Sequence, residues 1–368
     1  MNKVLIGMSG GVDSSVTVHL LKKDGYEVEG LSLIIWDTRN RTNLTSCCSL
    51  DALNAAKKTA DTLGIKHRSL DVRTKFIDKV IDPFVNSYIN GKTPNPCILC
   101  NKFVKFPALI EEAANHGIDY ISTGHYANIT HDSSPILKKG IDPIKDQSYF
   151  LYAQTLEDLS KTIFPLGQYT KGQVRQIAAN IKLSNANKPE SQEICFIDNN
   201  DYRGFLKDYI PNIELQGQIL DMQGKTIGRH NGIFGYTIGQ RRGLGISSDR
   251  PQYVKKIDVS TNTIIMGHKE DLYISEINLT QLHLLYNLNE KSGQVQDLPL
   301  RRGNPCGYPR LKIQAKLRST MKESPAQLFI DNNDSARLIF DQPQWGASCG
   351  QSTVFYLGDV VLGGGIIA

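Results

Sequence analysis

Between residues 3 and 125 the sequence alternates short apolar runs with segments of helical periodicity, and this alternation restricts the possible folds more than any other feature. Val4-Leu5-Ile6 precedes a helical pattern from Ser14 to Lys23. An apolar run from Val28 to Ile35, a second helical pattern from Leu50 to Leu63 and a short run at His67-Arg68-Ser69-Leu70 follow. A further helix is expected from about Phe103 to His116, leading into a strand at Tyr120-Ile121-Ser122-Thr123. Strands that alternate with helices in this way form βαβ units around a parallel sheet, so the N-terminal half reads as a doubly wound α/β domain.

Helical patterns continue through Tyr149-Phe150-Leu151-Tyr152 and Lys171 to Asn180, and the character then changes near Asp201-Tyr202. Gly217 to Gly228, Tyr253 to Met266 and Ala326 to Phe340 read as hairpins, with turns at Met222-Gln223-Gly224-Lys225 and Asn332-Asn333-Asp334-Ser335. At 368 residues the chain exceeds what one core usually serves. The expected division is an α/β domain over 1–200, a small mainly-β linking domain over 201–270 and a C-terminal β-barrel over 271–368.

Seven cysteines, an odd number, in a chain whose N-terminal apolar run is too short for a signal peptide argue against a disulfide framework. No apolar stretch approaches the roughly 20 residues that a membrane span needs. The expectation is a cytoplasmic protein with no membrane association and with thiols available for chemistry. The net charge of +5, with clusters at Arg241-Arg242, Lys255-Lys256 and Arg301-Arg302, would suit a polyanionic partner. Leu300 to Pro305 reads as a basic loop that could meet RNA phosphates or simply face water.

The strongest local signal is Ser9-Gly10-Gly11-Val12-Asp13-Ser14-Ser15, which follows the first strand and opens the first helix. Glycines let the backbone approach an anion, and exposed N–H groups at a helix start favour phosphate. An ordinary capping turn would use Asp13 or Ser14 alone. The loop lacks the Gly-Lys-Ser/Thr of a Walker motif and so has no lysine for terminal phosphates, which suits a pyrophosphate cradle and cleavage between the α- and β-phosphates of ATP. In this it resembles the PP-loop ATP pyrophosphatases, an adenine nucleotide alpha-hydrolase-like fold whose synthetases adenylate a carbonyl oxygen and displace AMP.

Thr93-Pro94-Asn95-Pro96-Cys97-Ile98-Leu99-Cys100-Asn101-Lys102 places two thiols in a proline-rigid loop at an expected helix start, where a thiol pKa falls, making Cys100 a candidate thiolate. Ser191-Gln192-Glu193-Ile194-Cys195-Phe196 supplies a third cysteine. Together with Lys145-Asp146-Gln147-Ser148-Tyr149-Phe150-Leu151, Thr237-Ile238-Gly239-Gln240-Arg241-Arg242-Gly243-Leu244-Gly245, Gly350-Gln351-Ser352-Thr353-Val354-Phe355-Tyr356 and Gly363-Gly364-Gly365, these motifs closely resemble the bacterial tRNA-specific 2-thiouridylases, the MnmA family.

That resemblance implies thiolation of the wobble uridine of tRNAs for glutamate, glutamine and lysine, with ATP and Mg²⁺ and with sulfur relayed from a sulfur-donor protein such as a cysteine desulfurase. It implies Cys195 as the persulfide carrier and Cys100 as the nucleophile, the two able to form a transient disulfide. By the same matching Gly7, Met8, Ser9, Gly10, Gly11, Val12, Asp13, Ser14, Leu33 and Gly124 would hold ATP. Asn95, Pro96, Cys97, His125, Lys145, Asp146, Gln147, Arg318, Ser319 and Gln351 would contact tRNA.

The family more often carries aspartate where this chain has Cys97, so the usual role of that carboxylate does not transfer. Cys97, Cys100 and Cys195 could instead hold a [4Fe–4S] cluster. Cys47 and Cys48 receive no role, and Cys306 and Cys349 read as incidental. Two other readings stay open. One is a PP-loop synthetase acting on another acceptor, and the other is a zinc-stabilised RNA-binding module without catalysis.

Overall fold

The computed structural model describes residues 1–36, 50–131, 134–183, 185–186, 194–197, 199, 201–210, 215–286 and 310–368. Cys47, Cys48, Cys306, the basic loop at 300–305 and most of the segment before Ile194 lie outside them. The chain divides into two units: Met1–Ile81, Pro96–Asn200 and Asp359–Val361 form the first, and Asp82–Asn95, Asp201–Gly358 and Leu362–Ala368 the second.

The first unit is built on a five-stranded parallel sheet of β1 (Lys3–Gly7), β2 (Glu27–Ile34), β3 (Lys66–Asp71), β4 (Tyr120–Ser122) and β7 (Thr162–Ile163), in the order β3-β2-β1-β4-β7. Val4, Leu5 and Ile6 are all fully buried, which is why this strand is apolar on both faces and central. Helix α1 (Val12–Lys23) packs on Val4 and Ile6 through Val18 and Leu21, together with Ala56 and Ala60 of α2 (Leu50–Leu63). Its other side, Val12, Val16 and Leu20, meets Val174 and Ala178 of the helix Lys171–Asn180. Apolar matter thus surrounds α1, and each fully buried Val or Leu contributes roughly 1.5–3 kcal/mol. The chain leaves β1 towards β2 on one side and β4 on the other, so the crevice beyond the carboxyl ends of β1 and β4 is the topological switch point where such sheets bind ligands.

The helix expected from Phe103 starts earlier. A helical course begins at Pro96, widens into a π-helical turn over Asn101–Lys105 and continues as α-helix over Phe106–Asn115. Proline at the first helical position is favourable. Pro107, which has no N–H and whose ring crowds the carbonyl four residues back, accounts for the widened turn. The expected helical turn at Tyr149 is a short 3₁₀ segment, Ser148–Phe150. A hairpin of β5 (Ala127–His131) and β6 (Pro135–Lys139), absent from the sequence reading, completes the unit's strands.

In the second unit the expected hairpins appear. Strands β8 (Gly217–Leu220), β9 (Thr226–His230), β10 (Tyr253–Asp258) and β11 (Thr263–Gly267) form a sheet in the order β10-β11-β8-β9 over Ile219, Val254, Ile264 and Met266. Strands β12 (Tyr273–Leu284), β13 (Arg310–Lys316), β14 (Ser324–Ile330), β15 (Ala336–Trp345), β16 (Ser352–Leu357) and β17 (Val360–Ile367) run in the order β12-β15-β14-β13-β16-β17. Pairing of β12 with β17 closes them into a six-stranded barrel. Burial alternates along β13 with the period of two that a one-faced strand requires. Asp82–Asn95 joins this unit through Phe84, which packs edge-on against Phe205, and through Tyr88, stacked on Tyr202 at 4.9 Å. No helix among the described residues is long and apolar enough to cross a membrane.

Candidate active site

The loop after β1 turns at Gly10, whose φ is +71°. Gly11 occupies the N-cap of α1 and no side chain caps this helix, so neither Asp13 nor Ser14 acts as the capping residue of an ordinary turn. The first N–H groups of α1 are therefore left to an external acceptor. The hydroxyls of Ser14 and Ser15 both donate to the Gly11 carbonyl, at 3.2 and 2.9 Å, and so brace the loop from inside. Gly124, just beyond β4, lies so close that a Cβ there would meet the Ser14 nitrogen at 2.9 Å.

Three residues that the sequence reading missed fix this loop. Lys171 Nζ donates to both oxygens of Asp13, at 2.7 and 2.8 Å, and Tyr126 Oη donates to Asp13 Oδ1 at 2.7 Å. Asn185, buried, donates to Ser15 Oγ at 2.9 Å and to the Gly10 carbonyl at 3.3 Å. One local signal did exist. Lys171 follows the N-cap Thr170, and a cation at a helix N-terminus opposes the helix dipole unless an acid compensates it.

Beyond the loop lies a cavity of about 460 Å³, contained within the first unit. Of the residues expected to hold ATP, Gly7, Met8, Ser9, Asp13, Ser14, Leu33 and Gly124 line it, whereas Gly10, Gly11 and Val12 do not. Cys97, Cys100 and Cys195 line the same cavity, with Pro96, His125 and Gln147. Cys97 sits exposed in the first turn of its helix and Cys100 lies buried a turn further on. Cys195 is half-buried, and its neighbour Phe196 packs edge-on against Phe76 at 5.7 Å. Asn101 is anchored through Nδ2 to the Phe150 carbonyl at 3.0 Å.

Gln147 accepts from the Tyr126 N–H through Oε1, and Asp146 accepts from the N–H groups of Gly140 and Ser148, so the Lys145-Asp146-Gln147 turn is held by its own polar groups. Asn95, Arg318, Ser319 and Gln351 belong to the second unit. There Arg318 donates to the carbonyls of Ile238 and Gly346. Among the described residues no three His, Cys, Asp or Glu side chains gather as metal ligands, and the three cavity cysteines do not form such a group. Asp13 is the one carboxylate among the described lining residues.

The ring of His125 stacks on Phe106 at 6.2 Å and meets Phe164 edge-on at 6.0 Å, with Nδ1 hydrogen-bonded to Thr123 Oγ1 at 2.7 Å. Burial, assisted by the charge of Lys105, pushes its pKa well below the ordinary 6.5, so the imidazole is neutral at physiological pH. Because the unfolded chain takes up this proton and the folded chain resists it, the associated stability is complete above about pH 6.5. It is lost as pH falls towards the folded value, at up to ~1.4 kcal/mol per pH unit. Urea unfolding at pH 7 and pH 5.5 should therefore show a smaller acid-induced loss for His125→Gln than for the wild type. Equal losses would mean that His125 takes up its proton as freely when folded as when unfolded.

A family model described as the tRNA methyl transferase HUP domain matches residues 2–199, one described as the tRNA methyl transferase PRC-barrel domain matches 203–268, and one described as an aminomethyltransferase beta-barrel domain matches 304–367. The tRNA-specific 2-thiouridylase MnmA 2 of Thermoanaerobacter sp. (strain X514) is 46% identical over 100% of this chain and 98% of its own length. The chain belongs to the tRNA-specific 2-thiouridylase family. Other members are similarly close: the enzyme of Acetivibrio thermocellus is 43% identical over 99% of both chains, and that of Clostridioides difficile 42% identical over 99% of this chain and 98% of its own. Since these family members align end to end with the chain, the family assignment covers the PP-loop unit, the linking sheet and the barrel together.

Proposed function

We propose that the chain is an ATP-dependent tRNA-uridine 2-sulfurtransferase, which converts a tRNA uridine to 2-thiouridine and releases AMP and diphosphate. The observation that supports this most directly is that Cys100 and Cys195 line the cavity into which the nucleotide-type loop opens. The full-length relatives named as tRNA-specific 2-thiouridylases point to the same reaction.

In this reading the uridine C2 oxygen attacks the α-phosphate of ATP, and the anhydride bond to the β-phosphate breaks. Mg²⁺ would be held chiefly by the phosphates and water, since Asp13, the one carboxylate among the described lining residues, is engaged by Lys171 and Tyr126. A sulfur-donor protein, such as a cysteine desulfurase or a sulfur relay protein, loads Cys195 as a persulfide. Its terminal sulfur attacks C2, and AMP departs with the former C2 oxygen. Cys100 then attacks the Cys195 sulfur, and the bond to the transferred sulfur breaks with its electron pair left on the 2-thio group. A Cys100–Cys195 disulfide remains for a thiol reductant to reopen. Pro96, Cys97, His125 and Gln147 would surround the base, which must leave its stack to react.

A [4Fe–4S] route would need Cys97, Cys100 and Cys195 gathered as ligands, and they are not so gathered among the described residues. No step is assigned to a cluster. The wobble uridines of glutamate, glutamine and lysine tRNAs are the proposed acceptors, and the cytoplasm the proposed site of action. Incubation with unmodified glutamate tRNA, ATP, Mg²⁺ and a persulfide donor should give 2-thiouridine, AMP and diphosphate in equal amounts. Thiolation without AMP, or ATP cleavage to ADP, would refute the scheme.

A further inference from the structure

The glycine-rich stretch between β9 and β10 is not used by the chemistry above. Gly239, Gly243 and Gly245 all have positive φ, between +67° and +84°, and so hold the backbone in a course that L side chains rarely adopt. The stretch borders an open depression of about 450 Å³ lined by Arg241, Gly243, Gly245, Ser248, Asp249 and Arg250, among others. Arg241, Arg242 and Arg250 are exposed. A fourth arginine, Arg203, lies against the stretch: a Cβ on Gly243 would sit 3.6 Å from its Nη1. Its guanidinium is held over the rings of Tyr202 and Tyr236, at 5.9 and 5.6 Å.

Among the described residues none of these four arginines forms an ion pair, although Asp249 lines the same depression. Two basic groups elsewhere in the second unit do have carboxylate partners: Lys256 pairs with Asp258 at 3.2 Å, and Arg337 with Glu276 and Asp331, both at 3.7 Å. From Arg241 to Gln252 no backbone N–H finds a backbone acceptor among the described residues. The surface therefore offers forked and main-chain donors that outnumber the one carboxylate lining the depression, Asp249. That set matches the oxygens of phosphodiesters, which guanidinium groups bind bidentately. None of the exposed large apolar side chains lines the depression, which disfavours a lipid surface or a peptide anchored by apolar residues.

We propose that Arg241, Arg242 and Arg250, presented by this glycine-rich stretch, together with Arg203 packed against it, bind the phosphodiester backbone of the RNA substrate at a site separate from the reacting nucleotide. The proposal rests on the tRNA-thiolating reading. Each phosphate contact releases counterions, so binding through this surface must weaken with salt in proportion to the number of arginines engaged.

The test measures affinity for unmodified glutamate tRNA from 50 to 300 mM salt, for the wild type, Arg241→Gln/Arg250→Gln and Arg241→Lys/Arg250→Lys. The glutamine pair should bind about 10- to 100-fold more weakly at 150 mM salt, with a salt slope shallower by about 1.5 to 2. ATP affinity, and turnover at saturating tRNA, should stay within about twofold of the wild type, which also shows that the variant is folded. The lysine pair should keep the salt slope, and Lys225→Gln, at a hairpin turn, should change nothing.

Wild-type affinity and slope in the glutamine pair would overturn the proposal while leaving the thiolation reading intact. So would unchanged tRNA binding accompanied by lost binding to phosphatidylserine vesicles. A wild-type protein that binds no tRNA would overturn both.

Discussion

Cys195→Ser is expected to abolish thiolation, lowering 2-thiouridine formation by at least about 10³-fold, because an alkoxyl oxygen cannot carry a transferable sulfur. The substitution is nearly isosteric, and Cys195 is half-buried in a wall where Phe196 and Phe76 provide the packing. Stability should therefore stay within about 0.5 kcal/mol of the wild type. ATP affinity should not change, since the loop, Leu33 and Gly124 are untouched. The decisive reading is the split between half-reactions. Adenylation needs only tRNA, ATP and the loop, so the serine variant should still exchange labelled diphosphate into ATP when tRNA is present. Thiolation should be lost at the same time. A PP-loop synthetase with a different acceptor would keep its full activity in Cys195→Ser, and that result would remove sulfur transfer from the account. Cys100→Ala should likewise fail to complete turnover, but it should accumulate RNA linked to Cys195 through the unreleased sulfur. These two variants therefore separate the carrier from the resolving thiol, a distinction that cavity geometry alone does not make.

The central strand, its loop and α1 were legible because every signal there is local: Val4 to Ile6 are apolar on both faces, and the serine-glycine turn comes next. Of the barrel strands, β14 and β15 were legible as a hairpin from the turn at Asn332-Asn333-Asp334-Ser335, but the closure of β12 on β17 joins residues far apart in the chain and leaves no local mark. The same holds for Asp82–Asn95. No element was read there from the sequence, and the stacking of Tyr88 on Tyr202 shows which core it serves. A helix start was expected in the Thr93–Lys102 segment as well as a helix from about Phe103, and the structure joins the two into one helical course through the widened turn over Asn101–Lys105. Among the site residues, the cysteines and glycines announced themselves by spacing. Asn185 did not, because its partner Ser15 lies well over a hundred residues away, and Lys171 was marked only by its place at a helix start, with nothing local to name Asp13 as its partner.

Gly10→Ala should be the most damaging single-methyl change in the nucleotide loop, for two reasons that add. The left-handed φ of +71° costs an alanine roughly 1–2 kcal/mol. Independently, the new Cβ would stand 2.6 Å from the Ala52 carbonyl oxygen and 3.3 Å from the Ala56 nitrogen, both backbone atoms of α2 that no rotamer change can move aside. Relief requires shifting either α2, which packs on the sheet through Ala56 and Ala60, or the loop itself. The loop is the weaker partner, but it is tied by Asn185 to the Gly10 carbonyl and to Ser15, so a shift there breaks those bonds and moves the N–H groups that await phosphate. A displacement near 1 Å at a reacting group costs about 100-fold in rate, so kcat/KM for ATP should fall at least that far, with a stability loss of about 2–4 kcal/mol. Gly25→Ala provides the control. Its φ of +89° imposes the same kind of backbone cost, but a Cβ there has no neighbour within 4 Å. That variant should lose only about 1–2 kcal/mol and retain full ATP-dependent activity. Should Gly10→Ala and Gly25→Ala prove equally active, contact with α2 would not be what holds the loop, and the nucleotide site would have to be sought elsewhere on the sheet edge.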